Sequence, residues 1–210
     1  MGCYGEHGTR CTIHDKKMVK NYTDQQLLDK VKSLPTFKQI PAHEWLLGVR
    51  SNEDNPDQFD DKIYMFKGEQ FITVTSATTN PGVSILKGGF KSYNNVGAAM
   101  LVADQWYYNI WIKGKHRGKA TGLLQRGAKV KVHRDGDMDN KSEATSIIQE
   151  GMFGINFHPN THDFNAMITK KTIGAWSAGC QVVNDMVKYR QIMNAMPERV
   201  LISYCLLNEF

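Results

Sequence analysis

From Lys62 onward the chain is cut into short apolar runs by glycine, asparagine and proline, and that spacing limits its fold more than any other feature. Residues 63–66, 71–75, 83–86, 98–102, 106–112 and 129–133 are each of strand length, and turn-forming residues separate them. In the last run Val130 and Val132 alternate with lysines, as in a strand with one face in water. Residues 200–207, with Ile202, Tyr204, Cys205, Leu206 and Leu207, are apolar on both faces and predict a buried strand. Many short strands at this spacing predict a mainly β domain, either a β-sandwich or an open barrel.

Helical signals stand out at two places. Thr23 and Gln26 form a capping box ahead of Leu27, Leu28 and Val31, and Pro35 stops the pattern, which predicts a helix over 23–34. Asn184 or Asp185 can cap a second helix, in which Met186, Tyr189, Met193 and Met196 share a face before Pro197. Between the first helix and the β region, residues 37–50 gather Trp45, Leu46, Leu47 and Val49 into a short apolar cluster. Residues 51–61 are polar and rich in turn formers. The chain therefore divides into an α-helical N-terminal arm, residues 1–57, packed on a domain of residues 58–210.

The chemistry concentrates between Gly151 and Asp185. An apolar run, 152–157, ends on His158, and a second segment closes on Trp176, Ser177, Ala178, Gly179 and Cys180. A thiol near its ordinary pKa is mostly protonated at neutral pH, so a nucleophilic cysteine needs a base or a cation beside it. His158 can serve if the intervening loop folds back. Gly179 lets the backbone approach a substrate and turn its amides toward a developing oxyanion. The helix expected near Met186 starts soon after the turn, so its N-terminus is expected to lower the thiol pKa. His162 is a second candidate base, but a strand end orients a side chain better than a loop, which favours His158. The plainer reading is a small buried cysteine and a loop histidine.

These residues resemble the catalytic segment of the L,D-transpeptidase (YkuD-type) family, in which a histidine closes a strand and Ser/Thr-His-Gly-Cys follows. Gly154-Ile155-Asn156-Phe157-His158 matches the strand and base, and Ser177-Ala178-Gly179-Cys180 matches the nucleophile turn. Thr78-Thr79-Asn80-Pro81-Gly82, at the end of residues 73–82, resembles the family's Thr-Pro-x-Gly turn. The resemblance spans residues 60–210. Ala178 stands where the family has a second histidine. Eighteen residues (159–176) separate His158 from Ser177, one more than the family's usual range, whereas His162 leaves fourteen (163–176). Gln181 and Val182 replace the pair that recognises a substrate carboxylate.

The resemblance implies cysteine-dependent acyl transfer on peptidoglycan stem peptides, as transpeptidase or peptidase. Cys180 would be the nucleophile and His158 the base. Gly179 and Ser177 belong to the catalytic turn, and backbone amides near Gly179 and Cys180 would hold the oxyanion. The Pro159 carbonyl would orient the imidazole, while Asn156, Trp176 and Gln181 would meet the substrate. Neither metal nor cofactor is implied. The alternative is a catalytically inactive wall-binding or virion structural module with the same fold.

Lysine and arginine outnumber aspartate and glutamate by 26 to 21, for a net charge of +5. The basic stretch from Lys113 to Lys119 reads as a solvated loop, or as a contact for an anionic polymer such as cell wall. No nucleic-acid motif accompanies it. Of the four cysteines, Cys205 reads as core. Cys3, His7, Cys11 and His14 are zinc-ligand types at a spacing that fits no finger. Asp135, Asp137 and Asp139 start like a calcium loop, but Asn140 and Ser146 stand where glycine and glutamate belong, which predicts an acidic hairpin loop. No apolar run approaches membrane length, and no apolar leader opens the chain. The expectation is a cytoplasmically made protein that reaches the wall after phage lysis or from a virion. Its oligomeric state stays open.

Overall fold

In a computed structural model, which describes residues 18–53, 55–167 and 170–210, the predicted capping box forms in both directions and starts α1 (Asp24–Lys32). Cys3, His7, Cys11 and His14 lie outside the described residues. Next come β1 (Glu44–Arg50), β2 (Asp61–Lys67) and β3 (Gln70–Thr78). A single helical turn, α2 (Val83–Leu86), and a 3-10 turn (Gly89–Ser92) precede β4 (Ala98–Leu101). Then follow β5 (Gln105–His116), β6 (Ala120–Gln125), β7 (Val130–Asp135), β8 (Ile148–Gly151) and β9 (Phe157–Pro159). The chain ends with β10 (Gln181–Val183), α3 (Met186–Ala195) and β11 (Ile202–Asn208).

The fold is mainly β. Eight strands close into a barrel in the order β1-β11-β5-β6-β9-β10-β3-β2, and β4-β7-β8 form a separate sheet. Two barrel pairs are parallel, β1 with β11 and β9 with β10. The apolar cluster at Trp45 is a barrel stave. The expected arm, residues 1–57, therefore supplies β1 as well as α1, and β1 closes the gap between β11 and β2.

Its side chains explain why β1 is apolar at nearly every position. Leu46 packs with Ile63, Met65, Trp111, Phe157 and Tyr204 on one face. Trp45, Leu47 and Val49 on the other face meet Phe66, Trp106 and Cys205, together with Leu27, Leu28 and Val31 of α1. A strand covered on both sides carries no polar alternation. Each fully buried large side chain contributes on the order of 1.5–3 kcal/mol.

Three expectations change. Residues 83–86 form a helical turn, not a strand: Ile85 and Leu86 reach the core by coiling between Gly82 and Gly88, and periodicity alone cannot separate the two in so short a run. Residues 152–156 lie outside any strand, and His158 instead sits in the middle of three-residue β9. The basic stretch is the end of β5, its turn and the approach to β6, so most of it is hairpin rather than free loop. Among the described residues, no helix is long and apolar enough to cross a membrane.

Candidate active site

β9 and β10 run side by side, with Val182 opposite His158, so Cys180, one residue before β10, enters the same neighbourhood. Gly122 of β6 permits the approach from the other side. A Cβ there would lie 2.7 Å from the Phe157 carbonyl oxygen, closer than any side chain tolerates.

The cysteine turn is clamped from within. The Gly179 amide donates to Ser177 Oγ at 3.2 Å, and that hydroxyl donates to the Cys180 carbonyl at 2.8 Å. The Ser177 carbonyl accepts from the Gly82 amide at 2.9 Å, which ties the turn to the Asn80-Pro81-Gly82 segment. Gly179 has a left-handed φ of 119°, and a Cβ would sit 2.5 Å from the Ala99 carbonyl oxygen of β4. Ser177 is fully buried. Its hydroxyl is spent on the turn, so it acts as a clamp rather than at the reacting atoms.

His158 is buried, and its Nδ1 lies 2.8 Å from the Pro159 carbonyl, the contact the resemblance implied. A carbonyl only accepts, so Nδ1 carries the proton and Nε2 keeps its lone pair. His116 of β5 stacks on this ring, with centroids 4.1 Å apart and planes at 20°. Asn156 connects the parts. Its amide donates toward Cys180 Sγ at 3.4 Å, its Oδ1 accepts from the Gln125 amide at 2.9 Å, and its Nδ2 lies 3.2 Å from His116 Nδ1.

A cavity of about 550 Å³ joins Cys180, His158, His116, Asn156, Trp176 and His162. Among the described residues its charged lining has one sign: Lys115, Arg117, Arg126 and Arg134, with no carboxylate. Trp176 forms part of the wall, with Lys170 Nζ 4.4 Å from its ring centroid and the His162 ring 5.0 Å away. His162 is exposed and in no strand, whereas His158 is held by its sheet neighbours.

Gln181, expected to meet substrate, does not line this cavity. It is fully buried on β10, donating to the Gly179 carbonyl at 3.2 Å and accepting from Tyr204 Oη at 2.8 Å. Strand alternation turns it away from the side that carries the thiol. Pro159 contributes its carbonyl rather than a cavity wall.

Burial sets the protonation states. It pushes the Cys180 thiol up to about 11, outweighing the Asn156 amide and the Arg117 charge, which act the other way. It pushes His158 down to about 3, helped by His116 and Arg117. The resting pair is thus thiol and imidazole, not thiolate and imidazolium, and the thiol donates to the Gly154 carbonyl at 3.5 Å. The expected help from α3 is absent: β10 intervenes, and Asp185 takes the first amides of the helix.

His116 and Arg117 were passed over as members of a basic stretch. Arg117 and Gly118 take left-handed φ values (49° and 72°) in the three-residue turn, 117–119, that joins β5 to β6 and delivers the strand end to the site. Arg117 is an unusual residue at that φ. The Asp-rich stretch starts the β7–β8 connection, where Asp137 and Asp139 accept from the amides of Asp139 and Lys141. Among the described residues, no cluster of three or more histidine, cysteine or acidic side chains is placed to hold a metal ion. No protein-family model, curated protein or solved structure matches this chain.

Proposed function

We propose that this protein is a cysteine-dependent acyl-transfer enzyme acting on peptidoglycan stem peptides, as an L,D-transpeptidase or L,D-peptidase. The observation that carries the reading is the meeting, in one cavity, of Cys180 and a histidine whose tautomer leaves Nε2 bare. The one-signed cationic lining suits a peptide that ends in a carboxylate.

In this mechanism the Cys180 sulfur attacks the carbonyl carbon of a stem-peptide link ahead of D-alanine. The C–S bond forms while the carbonyl π pair moves onto oxygen, and the thiol proton passes to His158 Nε2. Collapse restores the carbonyl, breaks the C–N bond and returns that proton to the leaving amine. The thioester then passes to a second amine or to water. General-base assistance of this kind contributes ~100- to 10,000-fold. Because the resting pair is neutral, negative charge first develops on the substrate oxygen, so stabilisation of that oxyanion dominates the barrier.

The neutral pair and the thiol's contact with Gly154 favour a second reading, a wall-binding module without chemistry. Mass spectrometry after incubation with D-alanine-terminated peptidoglycan fragments separates the two. The enzyme reading expects cross-linked or shortened stems and a thioester on Cys180, both lost in Cys180→Ala. Retention on the wall with no product from the native protein supports the module.

A further inference from the structure

The nucleophile turn offers one backbone donor where an oxyanion usually takes two. The Gly179 amide is committed to Ser177 Oγ at 3.2 Å. The Cys180 amide has no hydrogen-bond partner among the described residues. A second donor must therefore come from elsewhere in the cavity.

His116 is set up as that donor. Asn156 Oδ1 accepts from the Gln125 amide at 2.9 Å, and a backbone amide only donates, so the orientation of the carboxamide is fixed. Its NH2 then faces His116 Nδ1 at 3.2 Å, which makes Nδ1 the acceptor and puts the proton on Nε2. The two stacked rings are thus opposite tautomers, His158 with a bare Nε2 and His116 with an Nε2–H. Two imidazolium rings 4.1 Å apart repel, so His116 stays neutral once His158 has taken the thiol proton. Burial, Arg117 and His162 also disfavour charge on His116.

We propose that His116 is a catalytic residue whose Nε2–H donates to the oxyanion formed when Cys180 attacks, alongside the Cys180 amide, with Asn156 fixing its tautomer. The role rests on the reading of Cys180 as an acyl-transfer nucleophile. As the carbonyl π pair moves to oxygen, His116 lends a hydrogen bond and keeps its proton. The proton that travels is the thiol's, through His158.

Two reactions at the same sulfur test this. Acylation by p-nitrophenyl acetate passes through an oxyanion, whereas alkylation by iodoacetamide displaces iodide at carbon and forms none. His116→Phe keeps a flat ring on His158 without an N–H, and His116→Gln restores an N–H without the ring. The expected result is an acylation rate lowered ~100- to 1,000-fold in His116→Phe, partial rescue in His116→Gln, and alkylation of Cys180 changed by no more than about threefold in either variant. Equal loss in both reactions, or unchanged acylation in the variant that folds, overturns the proposal. Native Cys180 that accepts iodoacetamide but no acetyl group overturns the acyl-transfer reading itself, and the role of His116 with it.

Discussion

The two arcs of the barrel are built differently. β1, β2, β3 and β11 are seven to nine residues long and pair along most of their length, with apolar side chains packed on both faces. β9 and β10 are three residues each, and β9 meets β6 at a single register pair, Leu123 with Phe157. The long arc makes the fold stable through distributed burial. The short arc places the side chains of the candidate site through individual bonds: Ser177 Oγ, the Pro159 carbonyl, the Asn156 carboxamide. Damage to the first should cost stability and leave chemistry per folded molecule intact, and damage to the second should do the reverse.

The largest effect is expected on the short arc. Cys180→Ala should remove acyl transfer to background while the urea midpoint moves by less than the equivalent of ~1 kcal/mol. Residual turnover with stem-peptide fragments would dissociate the cavity from the chemistry. On the long arc, Trp45→Ala should cost ~3–5 kcal/mol. Trp45 is fully buried, stacks on Phe66 at 5.0 Å between centroids and donates to the Gly68 carbonyl at 2.8 Å. Activity per folded molecule should not change. A parallel loss of both quantities would mean the arcs are one unit.

His158 adds a pH signature. Its imidazole is held near 3 against an ordinary 6.5, so between those values the unfolded chain binds the extra proton. The stability it contributes is complete above about pH 6.5 and is lost as pH falls toward 3. Urea titrations of the native protein and His158→Gln should diverge across that window by ~2–4 kcal/mol. Parallel curves would show that this ring is not held neutral by burial.

Gly179→Ala should cost ~1–3 kcal/mol for its left-handed backbone, and turnover should fall ~100-fold as the turn shifts away from Ala99. Full activity in this variant would mean the turn tolerates displacement. The smallest effect is expected at exposed His162: His162→Gln should keep turnover within about threefold of native. A loss matching His158→Gln would make the loop histidine the base.

Where side chains report their own surroundings, the sequence could be read. Thr23 and Gln26 announced α1, Asp185 and Pro197 bounded α3, and the uninterrupted apolar run around Tyr204 announced β11. Residues whose roles depend on distant partners could not be read. The Trp45 segment looked like a packed arm because nothing local says that it pairs with β11, more than 150 positions away in sequence. β6 hides behind Gly122, small because β9 must come close. At the site, the motif picked out Cys180 and His158, which line one cavity, and the resemblance implied the Pro159 carbonyl contact that His158 makes, although the strand expected ahead of His158 is only β9. Gln181 could not be read, because its direction depends on the parity of β10, and His116 could not, because its meaning comes from the ring stacked on it.

A sulfur that stays protonated is a poor target for peroxide and for disulfide exchange, since both consume the thiolate. Desolvation raises the pKa of the half-buried Cys180 thiol above the ordinary value, so less of it is ionised at pH 7 than of an ordinary cysteine. A desolvated thiol that reacts slowly at rest is therefore also preserved. Outside a reducing compartment, such a cysteine should persist as the free thiol longer than one ionised at rest.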